Sequence, residues 1–119
     1  MRAEELKGHL DALLLATLEG GPRHGYAVIE ALRQSTGGRL DLPTGTIYPA
    51  LRRLEQAGLI AGTWSVVGGR RRREYQLTPA GVRALSGRRE AWRDFSDIVT
   101  AALETPNLEN GACPSPNPA

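Results

Sequence analysis

The spacing of apolar residues changes along this chain, and each change marks an element. Over residues 4–18, Leu6, Leu10, Leu13, Leu14 and Leu18 follow the three- and four-residue steps of a helix, and Leu15 widens the buried arc. Thr17 is the polar member of that stripe, and its hydroxyl can bond a carbonyl of the preceding turn. So broad an apolar face predicts contact with more than one neighbour. Gly20-Gly21-Pro22 ends the helix. His24-Gly25-Tyr26 opens a second helix running to about Thr36, with Val28, Ile29 and Leu32 inward, and Gly37-Gly38 stops it. Residues 39–42 then alternate like a very short strand.

Residues 43–60 are the most sharply two-faced. Ile47, Ala50, Leu51 and Leu54 form one apolar stripe. Gly45, Pro49, Arg52, Arg53 and Gln56 lie on the other side, with Thr44 and Tyr48 at its border. Pro49 lacks an N–H and is cheap only in a first helical turn, which predicts a start near Thr44 to Thr46 with a threonine as cap. Gly58 supplies the left-handed residue that ends the helix.

After Leu59 the period becomes two. Ile60, Trp64 and Val66 alternate with Ala61, Thr63 and Ser65, as in a half-buried strand. Gly68-Gly69 makes a turn, and Arg72 to Leu77 returns with Tyr75 and Leu77 on one face. Thr78-Pro79-Ala80-Gly81 starts a last helix over residues 79–104. On it, Leu85, Trp92, Phe95, Val99 and Ala102 make a short heptad seam, broken at Arg88. A helix this long reaches beyond a compact domain and predicts pairing with its own copy.

The elements predict a mainly α fold with a small β-hairpin: a winged helix-turn-helix plus a C-terminal dimerisation helix. Residues 1–78 are the expected DNA-binding domain and 79–104 the dimerisation helix. Residues 105–119 are a Pro-rich tail of a composition that does not order itself.

Composition sharpens this picture. Of 119 residues, Lys and Arg number 15 against 13 Asp and Glu, a net charge of only +2, so charge placement matters more than its sum. Arg70, Arg71, Arg72 and Arg73 stand together at the hairpin tip, more than edge protection needs, and suit a wall of phosphates. The helix over residues 44–56 offers Arg52, Arg53 and Gln56 for base edges. Thr44, Gly45, Thr46 and Tyr48 sit where backbone can be gripped. His24 and Tyr26 stand at a helix start, where N–H groups favour phosphate. Cys113 has no partner for an intrachain disulfide. No apolar run approaches the roughly 20 residues of a membrane span, and a cytoplasmic location is expected. His9, His24 and Cys113 lie on separate segments, so no metal site, cofactor site or nucleophile–base pair is expected.

With these residues in place, the chain resembles the PadR family of bacterial transcriptional regulators. The resemblance lies in His24-Gly25-Tyr26, the run from Gly45 to Glu55, Gly58-Leu59-Ile60, Gly69 to Arg72, and Tyr75 to Gly81, and covers about residues 8 to 104. It implies a dimeric winged-helix repressor on a palindromic operator of double-stranded DNA, released by a small-molecule effector. By position, Thr44, Gly45, Thr46, Tyr48 and Arg52 fall on the DNA-facing helix and Arg70 to Arg72 on the wing. Trp92 and Phe95 could stack on a small aromatic effector, as a tryptophan on this helix does in some PadR-like proteins; the reading preferred for them is as anchors of the dimer seam. The competing reading is a winged-helix protein-interaction module without base readout, its hairpin binding an acidic partner.

Overall fold

The computed structural model describes residues 8–106. Among these, the elements in order are α1 (Leu10–Thr17), β1 (Arg23–His24), α2 (Gly25–Ser35), α3 (Thr44–Gln56), β2 (Ile60–Val67), β3 (Arg70–Leu77) and α4 (Pro79–Glu104). The strands form an antiparallel sheet in the order β1-β3-β2. This is the mainly α winged helix that the apolar spacing predicts, with the wing made by β2 and β3. Leu6 and the start of the expected first helix lie outside the described residues, as do the tail from 107 and Cys113.

One core joins the helices to the base of the sheet. Leu14, Leu15 and Leu18 meet Val28, Ile29 and Leu32 of α2 and Ile47, Ala50, Leu51 and Leu54 of α3, and Ile60, Tyr75 and Leu85 complete it. Removing such side chains from water is the main force holding a small domain together. Leu10 and Leu13, on the same broad face of α1, are only partly covered. Thr17 is buried, and its hydroxyl donates to the Leu14 carbonyl at 2.6 Å, so the polar member of the stripe is satisfied.

Local chemistry sets several boundaries. Gly58 (φ +79°) ends α3: its N–H and that of Leu59 donate back to the carbonyls of Glu55 and Leu54 at 3.0 Å each, a Schellman end. Gly68 and Gly69, both at positive φ, make the two-residue turn of the wing. The Thr78 hydroxyl accepts from Gly81 N–H (3.0 Å) to cap α4 and donates to the Gly58 carbonyl (2.7 Å), tying the end of α3 to the start of α4.

Other boundaries depart from expectation. Among the described residues the first helix begins at Leu10, and Gly8 before it lies at φ +89°, outside any right-handed helix. Residues 39–42 are not a strand: Leu40 and Leu42 both enter the core, and the place beside β3 is taken by β1. Neither Thr44 nor Thr46 caps α3. Pro43 is its N-cap, its carbonyl accepting from Thr46 and Ile47 N–H (2.9 and 3.1 Å). Pro49 is therefore the sixth helical residue and not in the first turn. The partner it deprives of a donor is the carbonyl of exposed Gly45, which solvent can reach. In β2, Trp64 and Val66 are exposed, because the apolar face extends past the core that covers Ile60.

The chain divides into two compact units, the first ending at Arg88 and the second starting at Arg89. Leu85 belongs to the first and is buried in its core, so the heptad spacing that placed it on a dimer seam misassigned it. In the second unit, Trp92, Phe95, Ile98 and Leu103 are all exposed.

Candidate nucleic-acid interface

The wing is held against the start of α2 by β1, which pairs with β3. Arg23 and His24 pair with Tyr75 and Glu74 of β3, and Arg23 Nε donates to the Thr17 carbonyl at the end of α1 (2.6 Å). His24 is thereby fixed as the N-cap of α2, its Nδ1 accepting from Ala27 N–H at 3.3 Å. Its Nε2 lies 3.0 Å from Arg72 Nη1. A neutral imidazole accepts at one nitrogen and donates at the other. Ala27 N–H and Arg72 both donate towards this one ring, which accepts at only one nitrogen, so the tautomer sets which of the two contacts is a hydrogen bond.

Tyr48 of α3 reaches the same place. Gly25 permits it: a β-carbon there would stand 2.2 Å from Tyr48 Cε1, so α2 and the Tyr48 ring approach as only glycine allows. His24, Gly25, Tyr26, Tyr48, Arg71, Arg72, Arg73 and Tyr75 line one cleft of about 330 Å³. Burial pushes the Tyr75 hydroxyl above its usual pKa, and nearby Glu55 adds to the effect. Tyr26 and Tyr48 remain exposed enough to meet a ligand.

The free side of α3 carries Gly45, Pro49, Arg52 and Gln56, all exposed and opposite the buried stripe. Thr44 is also exposed, and Thr46 is half-buried. Arg53 lies to one flank, where its Nη2 meets Asp11 of α1 at 2.7 Å. It helps hold α1 to α3 more than it extends the free side. On the opposite flank Glu55 binds Arg73 of the wing.

The four wing arginines therefore differ. Antiparallel register puts Arg70 and Arg72 on one face and Arg71 and Arg73 on the other. Arg73 is engaged by Glu55, Arg72 stands at His24, and Arg71 lies over the Trp64 ring. Arg70, beside the glycine turn, makes no such contact among the described residues. The Glu55–Arg73 pair and the role of Trp64 escape a linear reading. The two-residue turn was their one available signal, since it sets Trp64 opposite Arg73.

Trp92 and Phe95 on α4 have ring centroids 6.0 Å apart, tilted by 41°. Val99 is half-buried and Ala102 exposed. Among the described residues there is no group of three or more His, Cys, Asp or Glu placed to hold a metal ion, and no helix long and apolar enough to cross a membrane.

Known proteins share this fold and sequence pattern. The model of the transcriptional regulator PadR-like family matches residues 14–87. A transcriptional regulator of Mycobacterium tuberculosis is 40% identical over 77 residues, covering 65% of this chain and 59% of that protein. The crystal structure of a PadR family transcriptional regulator from Eggerthella lenta is similar at a TM-score of 0.75 and 34% identity, over 87% of this chain and 88% of that one. A PadR-like transcriptional regulator from Bacillus cereus gives a TM-score of 0.76 at 27% identity, over 87% and 100%.

Proposed function

The chain belongs to the PadR-like family of transcriptional regulators, and from that premise we propose that it is a homodimeric repressor of a palindromic operator, released by a small aromatic effector. Residues 1–78 bind DNA in this reading, and the 79–104 helix pairs the subunits. The observation that carries it is the shared cleft: Tyr48 of α3, His24 and Tyr26 at the start of α2, and Arg71, Arg72 and Arg73 of the wing open onto one volume. A single duplex laid across it meets all three elements at once.

Roles follow from position. Arg52 and Gln56 read base edges in the major groove from the free side of α3. Thr44, Gly45, Thr46, Tyr48, Tyr26 and His24 contact the backbone at its start, where Arg72 stands beside His24. Arg70 and Arg71 meet further phosphates from the wing. Arg53 sits at the edge of this surface. The exposed Trp92 and Phe95, with Val99 and Ala102, form the seam between subunits. A two-fold dimer then sets the two α3 helices roughly 34–36 Å apart, one turn of DNA. A planar effector stacks on Trp92 and Phe95 and shifts repression by binding one dimer arrangement better than the other.

The test is a salt titration of binding to operator and to random duplex. Replacing Arg70 and Arg71 together by alanine should weaken binding to every sequence and reduce the slope of log affinity against log salt. An unchanged slope would refute the wing assignment. Arg52→Ala should instead lower the ratio of operator to random binding, and equal loss on both would remove it from base readout.

A further inference from the structure

We propose that Trp64 is the positioning residue of the wing, its ring holding the Arg71 guanidinium in place for a duplex phosphate. The inference rests on the wing being a DNA-binding surface. Trp64 is 58% exposed, four residues along β2 from buried Ile60, and has no core beneath it to explain so large an apolar side chain. What lies over it is charge. Trp64 stands directly opposite Arg73, and Arg71 is its diagonal neighbour on the same face. Arg71 Cζ is 4.4 Å from the ring centroid and Arg73 Cζ 5.3 Å, both within the roughly 6 Å over which a ring attracts a cation.

The two arginines then part company. Arg73 continues past Gly62, where a β-carbon would come within 2.8 Å of its Nε, and reaches Glu55 on α3. Its charge is met by a carboxylate. Arg71 has no carboxylate partner among the described residues, and the ring is what orders it. An aromatic face attracts a guanidinium without neutralising it, and stacking leaves the N–H edge free to donate. A carboxylate in the same place would order the side chain and cancel the charge that a phosphate needs. An arginine ordered in advance also has less rotamer freedom left to lose on docking.

The experiment measures binding of the full chain to a labelled duplex of random sequence, with thermal unfolding to check each variant's fold. Trp64→Leu should weaken binding by about two- to five-fold per wing, and Trp64→Phe should keep most of the affinity. Placed in an Arg71→Ala background, Trp64→Leu should cost nothing further, because the residue it acts through is gone. Full affinity in Trp64→Leu, the same loss with and without Arg71, or no advantage of Phe over Leu would each overturn the proposal while leaving the wing as a DNA surface. If neither Arg70→Ala nor Arg71→Ala alters the salt slope, the wing reading itself falls and this inference with it.

Discussion

Leu85 and Trp92 stand one heptad apart on α4, yet Leu85 is 3% exposed and Trp92 53%. Both obey the same seam spacing. Leu85 closes the core of the first unit, whereas Trp92 belongs to the second, where the large apolar side chains meet solvent. The difference teaches that an apolar stripe on a helix states how much surface wants cover and is silent about which chain supplies it.

Stability separates the two positions most strongly. Leu85→Ala should lower the unfolding free energy by about 2–5 kcal/mol, through lost burial and the cavity left behind. That loss should be the same at all protein concentrations in urea unfolding. On the proposed subunit seam, Trp92→Ala should instead act through the concentration dependence of unfolding, because such a seam is lost by mass action. A purely concentration-dependent loss for Leu85→Ala would erase the distinction.

Two glycines of α4 sharpen the same contrast with smaller effects. At Gly81 a β-carbon would stand 2.0 Å from the Leu59 carbonyl oxygen, whereas at Gly87 nothing lies within 4 Å. Gly81→Ala should therefore destabilise by about 1–3 kcal/mol, because backbone must move. Gly87→Ala should stabilise by roughly 0.5–1 kcal/mol, the helix preference of alanine over glycine. Denaturant midpoints decide, and a destabilising Gly87→Ala would mean that something outside this chain covers that position.

The smallest effect expected is on pH dependence. Burial raises the Tyr75 pKa above 10.0, so its neutral form is favoured in the folded chain. The resulting stability is complete below pH 10 and is lost as pH rises through the folded value. Alkaline unfolding of Tyr75→Phe should lack that component when compared with the parent chain. An identical pH profile for the two would show that the phenol is solvated in the folded state.

Much of the fold was legible because its causes are local. The apolar stripe of α3, the left-handed Gly58, the turn at Gly68-Gly69 and the Thr78 cap each depend on a few adjacent residues, and each is observed where the spacing put it. The β1 strand was not legible, since two residues carry no periodicity and it exists only by pairing with β3. Pro49 misled for a related reason: the cost of a proline depends on whether the carbonyl it strands is buried, and Gly45 happens to be exposed.

The candidate interface divides along the same line. Short-range sterics and side-chain chemistry, written in consecutive residues, dictated a two-faced helix, a basic hairpin and a long final helix. Contacts between residues apart in the chain then sorted the wing arginines: Glu55 holds Arg73, His24 meets Arg72, Trp64 orders Arg71, and Arg70 is left at the tip. Four identical guanidinium groups in a row carry no such distinction until strand register and packing give three of them different neighbours and leave the fourth at the tip.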